Sequence, residues 1–560
     1  MAERRLPWAN RVPRPKSSAW SGSVVWESLP EVPLFETAEL SPGELLDDLE
    51  QGRFYHLNQS KVIGRGPADW QLGPRDRDRL WTVTLHYHRW AFDLAGIIAA
   101  NGSDAARAEA LLVNWLDDWM QRCPVDDPAA RHLAWNAYAI ATRIGWWVRT
   151  LMLLGRPFID RHPEFAPRML ASLRQQARFL EDHIEWDLRA NHLMRDFVGL
   201  AWAGRFFPGH HARNLLTTAG EGALAQADEQ ILPDGGHFER SPLYHLQIMD
   251  DLVVVRSLVD DLEARESLDA AWCRMAEFAR WMRHPDGGLP QFNDAAAFGH
   301  GTPQRMFEIG KQLGLGDYAA TPRGGRHFDE TGFVAWHGPK WTVFFDVGPV
   351  GPDYQPGHAH ADTLAIEASV NGTRLFVDPG TFAYDHDERR EYDRSTAAHN
   401  TVCIDGENSS EVWHIFRVGH RALPLDVDVQ FAPGAMRARG AHDGYDRLPG
   451  RPRHSRTVCV EDDGDLTLTD RIDGSGEHLV EGGFLLAPDW DARSVPGGWE
   501  LTDGSQQLRL VLSADAELEH AMDVRPWHPE YGREVTTTRL TWRHQGAIPL
   551  QVECRITDVV

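Results

Sequence analysis

The amino-acid sequence predicts an α+β protein in which a helical domain precedes an antiparallel β domain. Between about residues 80 and 320 apolar residues recur at helical spacing, whereas beyond about residue 330 short strand-like runs alternate with Asp- and Gly-rich turns. A chain of 560 residues also exceeds what a single hydrophobic core normally holds. We therefore expect at least two domains, with the change of period marking their order.

Composition and charge restrict the classes of function. The apolar fraction of 42% and the charged fraction of 25% are typical of a soluble globular protein, and no apolar run approaches the ~20 residues of a membrane span. The net charge of −25 argues against general nucleic-acid binding, although an acidic protein can still hold an anionic ligand in a local basic cleft. The five widely spaced cysteines predict neither a disulfide framework nor a thiolate zinc site.

Residues 1–80 carry Pro and Gly without a long period, so we expect an N-terminal arm and short helices packed on the body. Met1–Trp8 has no apolar segment after its basic start and therefore predicts no secretory signal. The expected compartment is the cytoplasm if this N-terminus is native, and the periplasm or the exterior if a signal has been removed.

Residues 81–322 are predicted to form the helical domain. Four amphipathic stripes follow the i, i+3/i+4, i+7 spacing of a helix with one buried face. They lie within Leu111–Trp119, Ile140–Leu151, Leu193–Ala201 and Leu246–Val253. Repeated helix pairs of this kind are typical of a helical toroid or a helical repeat array, and propensity alone does not choose between them.

Residues 323–560 are predicted to form an antiparallel β-sandwich, with the boundary at Thr321–Gly325. The strand-like runs are Phe333–Trp336, Trp341–Phe345, Thr363–Val370, Thr457–Val460, Leu466–Thr469 and Leu508–Leu512. Asn371-Gly372, placed between two apolar runs, predicts a tight hairpin.

The segment Gly357–Asp362 contains two histidines one residue apart. Side chains at alternate positions of a strand point to one face, so His358 and His360 are expected to serve one site. The hairpin would return Asp378 towards His360, and His399 opens a further strand-like run. Two imidazoles and one carboxylate can bind a metal. Because the chain has 27 histidines, a chance pairing is the alternative.

Three segments of the helical half are rich in polar or aromatic side chains: Trp135–Tyr138, Arg189–Asp196 and Asp234–His245. Asn191 lies where a helix N-cap is preferred, which is the structural alternative to a role in binding. The last segment is a glycine turn that leads into a helix, and its polar side chains are denser than a buried core would tolerate. Trp135 belongs to a set of 22 tryptophans, whose rings pack against sugars or, more often on helices, in the core.

Taken together, these segments resemble the heparinase II/III-like polysaccharide lyases. The matching motifs are Asn191–Leu193, Asp234–Pro242 with Tyr244, Gly357–Asp362, Val377–Gly380 and Arg394–Thr401. Their order and spacing match, and the likeness extends from about Leu80 to about Phe484. The motifs are specific jointly rather than singly. The resemblance implies an (α/α) helical toroid followed by an antiparallel β-sandwich, and β-elimination on a uronic-acid polysaccharide.

The resemblance also implies catalytic roles. Asn191 and His192 correspond to the pair that binds and neutralises the uronate carboxylate. Tyr244 corresponds to the catalytic tyrosine, and His358 to the histidine beside the scissile bond. An unperturbed tyrosine, with a pKa of about 10, is a poor base at neutral pH, so cationic neighbours are needed to lower it.

A metal site and a second tyrosine are implied in the same way. His360, Asp378 and His399 correspond to the ligands of one divalent metal, usually zinc, with manganese and calcium as alternatives. We expect this metal to be structural, because it would aim the segment that carries the catalytic histidine. A hydrolytic zinc is the competing use. Tyr384 is a candidate for a further active-site tyrosine, and Tyr392 competes for that role.

We expect substrate contacts from Trp135, Glu239, Arg240 and Arg394. The two arginines are candidates for lowering the tyrosine pKa and for binding sulfate or carboxylate groups, with structural salt bridges as the alternative. The expected partner is an anionic polysaccharide or oligosaccharide, with no nucleic acid and no membrane span. A homodimer is a further expectation.

Three other functions compete with a glycosaminoglycan lyase acting on heparan sulfate, hyaluronan or chondroitin. The first is a lyase of the same mechanism that acts on alginate or a bacterial exopolysaccharide. The second is a toroid glycoside hydrolase, which needs paired carboxylates such as Glu239 and Asp294. The third is a non-catalytic carbohydrate-binding protein, which the presence of Tyr244 and His358 disfavours.

Overall fold

The computed structural model describes residues 24, 30–36, 38–72, 78–296, 301–461 and 464–559. The predicted absence of a signal in Met1–Trp8 lies outside these residues, as does the part of the expected N-terminal arm that precedes residue 24. The predicted fold class is confirmed, since a helical region is followed by a region of antiparallel sheets. In the part of the chain that the structure describes, no helix is both long and apolar enough to cross a bilayer.

The helices are α1 (Pro42–Glu50), α2 (Arg79–Leu85), α3 (Arg89–Ala99), α4 (Ala105–Arg122), α5 (Pro128–Leu133), α6 (Ala137–Arg161), α7 (Phe165–Asp182), α8 (Ala190–Phe206), α9 (His210–Gln230), α10 (Pro242–Leu258), α11 (Leu262–Trp281), α12 (Pro303–Gln312) and α13 (Glu388–Arg394). The four predicted stripes fall on α4, α6, α8 and α10 and supply buried residues there. The helical period was therefore a reliable guide in this region.

The strands are β1 (Arg53–His56), β2 (Gln59–Val62), β3 (Gly324–Phe328), β4 (Phe333–His337), β5 (Trp341–Asp346), β6 (Ile366–Val370), β7 (Thr373–Phe376), β8 (Val402–Ile404), β9 (Val412–Trp413), β10 (Arg417–Val418), β11 (Pro424–Ala432), β12 (Ala435–His442), β13 (Arg453–Glu461), β14 (Leu466–Asp473), β15 (Glu477–Leu485), β16 (Asp491–Val495), β17 (Gly498–Thr502), β18 (Gln507–Ala514), β19 (Glu519–Glu530), β20 (Arg533–Ala547) and β21 (Leu550–Asp558). Beyond the small hairpins β1-β2 and β9-β10, they form sheets of five (β3 to β7), eight (β11-β12-β13-β14-β21-β18-β17-β16) and four strands (β19-β20-β15-β8).

The chain divides into two compact units. One comprises Met1–Glu229 with Asp251–Ala270, and the other comprises Gln230–Asp250 with Ala271–Val560. The change from helix to strand occurs later, between the end of α12 and the start of β3. The division into units therefore differs from the domain limits expected from the sequence period.

The five-stranded sheet is covered on both faces within the second unit. Val343 and Ile366 join the large sandwich core, whereas Phe344 packs with Phe278 and Phe292 on the other face. Every residue of β6 is consequently buried. The hairpin at Asn371-Gly372 is confirmed, with φ of 47° and 91° at the two turn residues and Val370 paired with Thr373.

One predicted strand is too long. The run Thr363–Val370 is strand only from Ile366, and His358 and His360 lie in the irregular segment before it. The Ala365 N–H donates to the Asp362 carbonyl at 2.8 Å, and Leu364 has a φ of 66°. This turn separates the two histidines from strand β6. Strand alternation therefore does not set the positions of their side chains.

Candidate active site

Tyr244 lies in the first turn of α10, in the second unit. The Tyr244 N–H donates to the Ser241 hydroxyl at 3.3 Å, a contact that caps the helix. The same hydroxyl donates to the backbone carbonyl of Asp294. The Asp294 N–H in turn donates to the His358 carbonyl at 2.9 Å. One backbone segment therefore ties together the parts of the chain that carry Tyr244 and His358.

The side chains of these two residues are in contact. The Tyr244 and His358 rings are stacked, with centroids 3.9 Å apart and planes inclined by 29°. Tyr244 is buried, whereas the His358 side chain keeps 13% of its surface exposed. A phenol and an imidazole, both able to exchange protons, thus lie side by side.

Asp294 fixes both histidines of the Gly357–Asp362 motif. His358 Nδ1 donates to Oδ2 at 2.9 Å, and His360 Nε2 donates to Oδ1 at 2.9 Å. The Arg390 guanidinium contacts both carboxylate oxygens. Burial alone would raise the pKa of Asp294, but Arg390 and the two imidazoles hold it well below its usual range. This permanent anion selects the Nδ1–H tautomer of His358 and leaves Nε2 for chemistry.

The phenols of Tyr244, Tyr384 and Tyr531 are hydrogen-bonded to one another. The Tyr244 hydroxyl lies 2.8 Å from that of Tyr384, which lies 2.6 Å from that of Tyr531. Burial raises the pKa of Tyr384 well above its ordinary value, so this phenol stays protonated across the neutral range. It can therefore donate a hydrogen bond to Tyr244 and favour the phenolate form of that residue.

His360, Asp378 and His399 form a cluster that could hold a metal ion. One ligand atom from each lies within 4.8 Å of the others, and all three residues are buried. Gly380, two residues after Asp378, has a φ of 74°, and a Cβ there would lie 2.1 Å from the His528 carbonyl oxygen. Only glycine fits this turn, which directs the carboxylate of Asp378 into the cluster.

The donor atoms of this cluster suit a metal. His399 Nδ1 donates to Asp378 at 2.7 Å, just as His360 Nε2 donates to Asp294. The opposite ring nitrogens, His360 Nδ1 and His399 Nε2, are buried and receive no hydrogen bond from any described residue. Burial lowers the pKa of His360 to about 3 and that of His399 to about 4, so both rings are neutral ligands at pH 7.

Asn191 and His192 lie in the first unit, at the start of α8. Asn191 is buried, and because Arg189 takes the cap position it is not the N-cap of this helix. His192 Nδ1 lies 3.0 Å from a Glu185 carboxylate oxygen, and its ring lies 4.9 Å from that of Tyr138. Their predicted role at the substrate carboxylate remains a prediction.

The positions of Trp135 and Glu239 favour structural roles over substrate contact. Trp135 is 4% exposed, its indole N–H donates to the Cys123 carbonyl at 2.9 Å, and its ring packs on Phe179. Glu239 is 1% exposed and lies 3.9 Å from the ring of His237. Neither side chain offers a surface to a polysaccharide in this structure.

The two predicted substrate arginines are engaged by backbone carbonyls. Arg240 donates to the carbonyls of Thr331, Phe238 and Glu330 at 2.8–3.3 Å. Arg394 is 1% exposed, and all its hydrogen bonds described by the structure go to carbonyl oxygens, Ala359 among them. Main-chain carbonyls, rather than the salt bridges considered as the alternative, thus hold both guanidinium groups, and their contact with substrate stays a prediction.

Two further members of the site, Tyr531 and Arg390, were not among the residues predicted from the sequence. Tyr531 lies in the turn between β19 and β20, far along the chain from any motif, and no local pattern marks it. Arg390 lies in the short helix α13, one turn before Arg394, so the helical spacing of these two arginines was the available signal. Tyr392, the competitor of Tyr384, donates instead to the Pro526 carbonyl at 3.3 Å.

The amino-acid sequence is similar to those of two bacterial lyases. A heparin-sulfate lyase from Bacteroides thetaiotaomicron is 23% identical over 486 residues, which cover 79% of this chain and 65% of that protein. One from Bacteroides stercoris is 21% identical over 490 residues, covering 78% and 69%. The present chain thus spans about two thirds of the length of these relatives.

A solved structure has the same fold. The crystal structure of a heparinase III superposes with a TM-score of 0.77 at 18% identity, covering 94% of this chain and 88% of that one. The model of the heparinase II/III N-terminus matches residues 47–308, and that of the heparinase II/III-like C-terminal region matches residues 320–553. The chain therefore belongs to the heparinase II/III-like family.

Proposed function

We propose that this protein is a polysaccharide lyase that cleaves a uronic-acid-containing glycosaminoglycan, with heparan sulfate as the first substrate to test. The observation that supports this proposal most is the stacking of Tyr244 on His358, at 3.9 Å between ring centroids. An elimination needs one group that removes a proton and one that donates a proton to the leaving oxygen. Both types of group occur here in one contact.

The reaction proceeds as follows. A base removes the proton at C5 of the uronate, a C4=C5 double bond forms, and the bond from C4 to the bridging oxygen breaks. An acid protonates that oxygen as it leaves. Tyr244 serves as the acid. It is also the base when the C5 proton and the leaving oxygen on C4 lie on the same side of the uronate ring. His358, through Nε2, is the base when they lie on opposite sides.

The C5 proton becomes acidic only when the neighbouring carboxylate is neutralised. We assign this role to Asn191 and His192, whose amide and imidazole can donate hydrogen bonds to the enolate that develops. Zinc is the metal we propose for His360, Asp378 and His399, where it would fix the segment that carries His358. A homodimer remains a prediction.

A glycoside hydrolase fits the residues less well. Its general acid must be a carboxylic acid with a raised pKa. Asp294 does not meet this requirement, because Arg390 and two imidazoles hold its pKa well below the usual range. Glu239, the other carboxylate considered, is 1% exposed, so it offers no accessible oxygen to a glycosidic bond in this structure.

The test is an ultraviolet absorbance assay on heparan sulfate, hyaluronan, chondroitin and alginate. We expect absorbance of an unsaturated uronide to rise on a glycosaminoglycan and not with the Tyr244→Phe variant. New reducing ends without that absorbance would reject elimination. A rise on alginate alone would move the substrate class while leaving the mechanism in place.

A further inference from the structure

We propose that the hairpin Val412–Val418, here called the aromatic hairpin, is a subsite that binds a sugar ring of an anionic oligosaccharide next to His358. The inference rests on the proposed function, since it gives the substrate a second point of contact. It begins from two large apolar side chains in water. Trp413 is 52% exposed and Phe416 is 43% exposed. Clustered exposed aromatic rings commonly mark a binding surface.

The exposed ring of Phe416 adjoins the catalytic candidates. Its centroid lies 5.8 Å from that of His358, at an interplanar angle of 82°, and 5.0 Å from that of Tyr384. These edge contacts hold the ring upright beside the imidazole. A sugar unit resting on Phe416 would therefore neighbour the unit whose bond His358 and Tyr244 address.

The hairpin is held in place by buried cations. Arg394 donates to the carbonyls of Trp413, His414 and Arg417 at 3.2–3.3 Å, and to the Ala359 carbonyl at 3.0 Å. Ala359 is the residue between the two histidines of the motif. One guanidinium thus joins the aromatic hairpin to the backbone that carries His358.

Arg390 provides a second anchor. Its guanidinium donates to the Ile415 carbonyl at 2.8 and 3.0 Å while it pairs with Asp294. Two buried arginines therefore support a hairpin of only two residue pairs. Such a short hairpin is not stable alone, and anchoring of this kind lets it present fixed side chains at low entropic cost.

Trp413 is placed to offer one ring face. The indole lies over Gly419, where an added Cβ would be 2.9 Å from its ring. Gly419 thus lies close to one edge of the indole, and about half of Trp413 stays in water. A flat aromatic face with this support can stack on the C–H face of a pyranose ring.

Charge favours an anionic sugar. The aromatic hairpin also exposes the guanidinium of Arg417 and the imidazole of His414. A guanidinium beside an aromatic face suits a ring that carries a carboxylate or sulfate, because apolar stacking and ion pairing act on one unit.

The test measures binding in a Tyr244→Phe background, so that no cleavage intervenes. The probes are a heparan sulfate tetrasaccharide and octasaccharide, and Kd is measured by calorimetry. We expect Trp413→Ala and Phe416→Leu each to raise Kd roughly three- to tenfold. Arg417→Ala should weaken binding and reduce its salt dependence. Phe431→Ala is the matched control, because Phe431 is a 41% exposed aromatic residue outside the hairpin.

The inference is overturned if Kd changes less than twofold in both aromatic variants, or if Phe431→Ala weakens binding equally. Trp413→Tyr keeps an aromatic face and should restore most of the affinity, which separates stacking from a folding defect. Failure of the proposed function looks different. In that case the parent protein would bind the oligosaccharides through the hairpin, yet release no unsaturated uronide from any polysaccharide.

Discussion

The imidazole of His358 lies against the phenol of Tyr244, while its Nδ1 is held by Asp294 at 2.9 Å. The stack therefore contains one group with a fixed tautomer and one group whose hydroxyl contacts another phenol. Because Asp294 also binds His360, the same carboxylate connects the catalytic candidates to the candidate metal-binding cluster.

Replacing Tyr244 by Phe should abolish most turnover and leave the fold intact. The variant loses only the hydroxyl, and loss of a positioned acid–base group costs about 10²- to 10⁴-fold in rate. Steady-state kinetics and a thermal melt check this. Retention of more than a tenth of the parent rate would remove Tyr244 from the mechanism.

Replacing Tyr531 by Phe should lower kcat roughly three- to tenfold with little change in KM. It removes the 2.6 Å hydrogen bond to Tyr384, whose hydroxyl contacts Tyr244, and also the hydrogen bond of Tyr531 to Tyr244 itself. Tyr392→Phe is the matched control, since the Tyr392 hydroxyl donates to the Pro526 carbonyl, away from these three phenols. Equal effects of the two variants would contradict a role of the Tyr531 hydroxyl in catalysis.

Replacing Asp294 by Asn should affect stability and kcat together. The change leaves Arg390 buried without its anion, which costs about 3–5 kcal/mol in the free energy of unfolding, and it frees the tautomer of His358. Denaturant unfolding and single-turnover kinetics measure the two effects. Normal turnover in a destabilised variant would confine Asp294 to a structural role.

Replacing His360 by Ala should lower metal content and thermal stability together, because the ring supplies one of the buried ligand nitrogens. The control is His454→Ala. His454 is also buried and bonds to a carboxylate, that of Asp470 at 2.7 Å, but it lies outside the cluster. It should lower stability without changing metal content. Full metal occupancy in His360→Ala would reject the ligand assignment.

Asp470 should make stability depend on pH in the acid range. Burial alone would raise its pKa, but Arg456 and His454 hold it well below the unfolded value of about 4. The stabilisation is fully present above pH ~4 and is lost as pH falls further, because the unfolded chain takes up the proton first. Unfolding curves from pH 7 to 2 measure this, and Asp470→Asn should flatten the profile below pH ~4. An equally steep profile in that variant would point to other carboxylates.

Helical spacing and strand alternation predicted the order of the fold because they record which faces are buried. They failed where tertiary contacts replace the local pattern. Alternation of side chains predicts a strand for the segment of His358 and His360. Instead, a turn at Leu364 follows this segment, and hydrogen bonds to the carboxylate of Asp294 position both imidazoles.

Within the candidate site, the motifs indicated Tyr244, His358 and the group of His360, Asp378 and His399, whose roles remain predictions. The structure brings the first two into contact and the other three together, through contacts that depend on distant residues. The motif predicts Arg394 at the substrate, whereas the structure shows its guanidinium donating to the carbonyls of Trp413 and Ala359. The sequence of a motif does not reveal which distant carbonyls an arginine will contact. Tyr531 reaches Tyr384 from 147 positions away in the chain, a distance over which sequence pattern has no information.

The most direct measurement is mass spectrometry of the products that the protein releases from heparan sulfate in oxygen-18 water. Elimination adds no water, so we expect a new non-reducing end one water lighter than a hydrolytic product, with no oxygen-18 incorporated at the cleaved bond. Incorporation of one oxygen-18 per cleavage would establish hydrolysis and contradict the assignment of Tyr244 and His358 as an elimination pair.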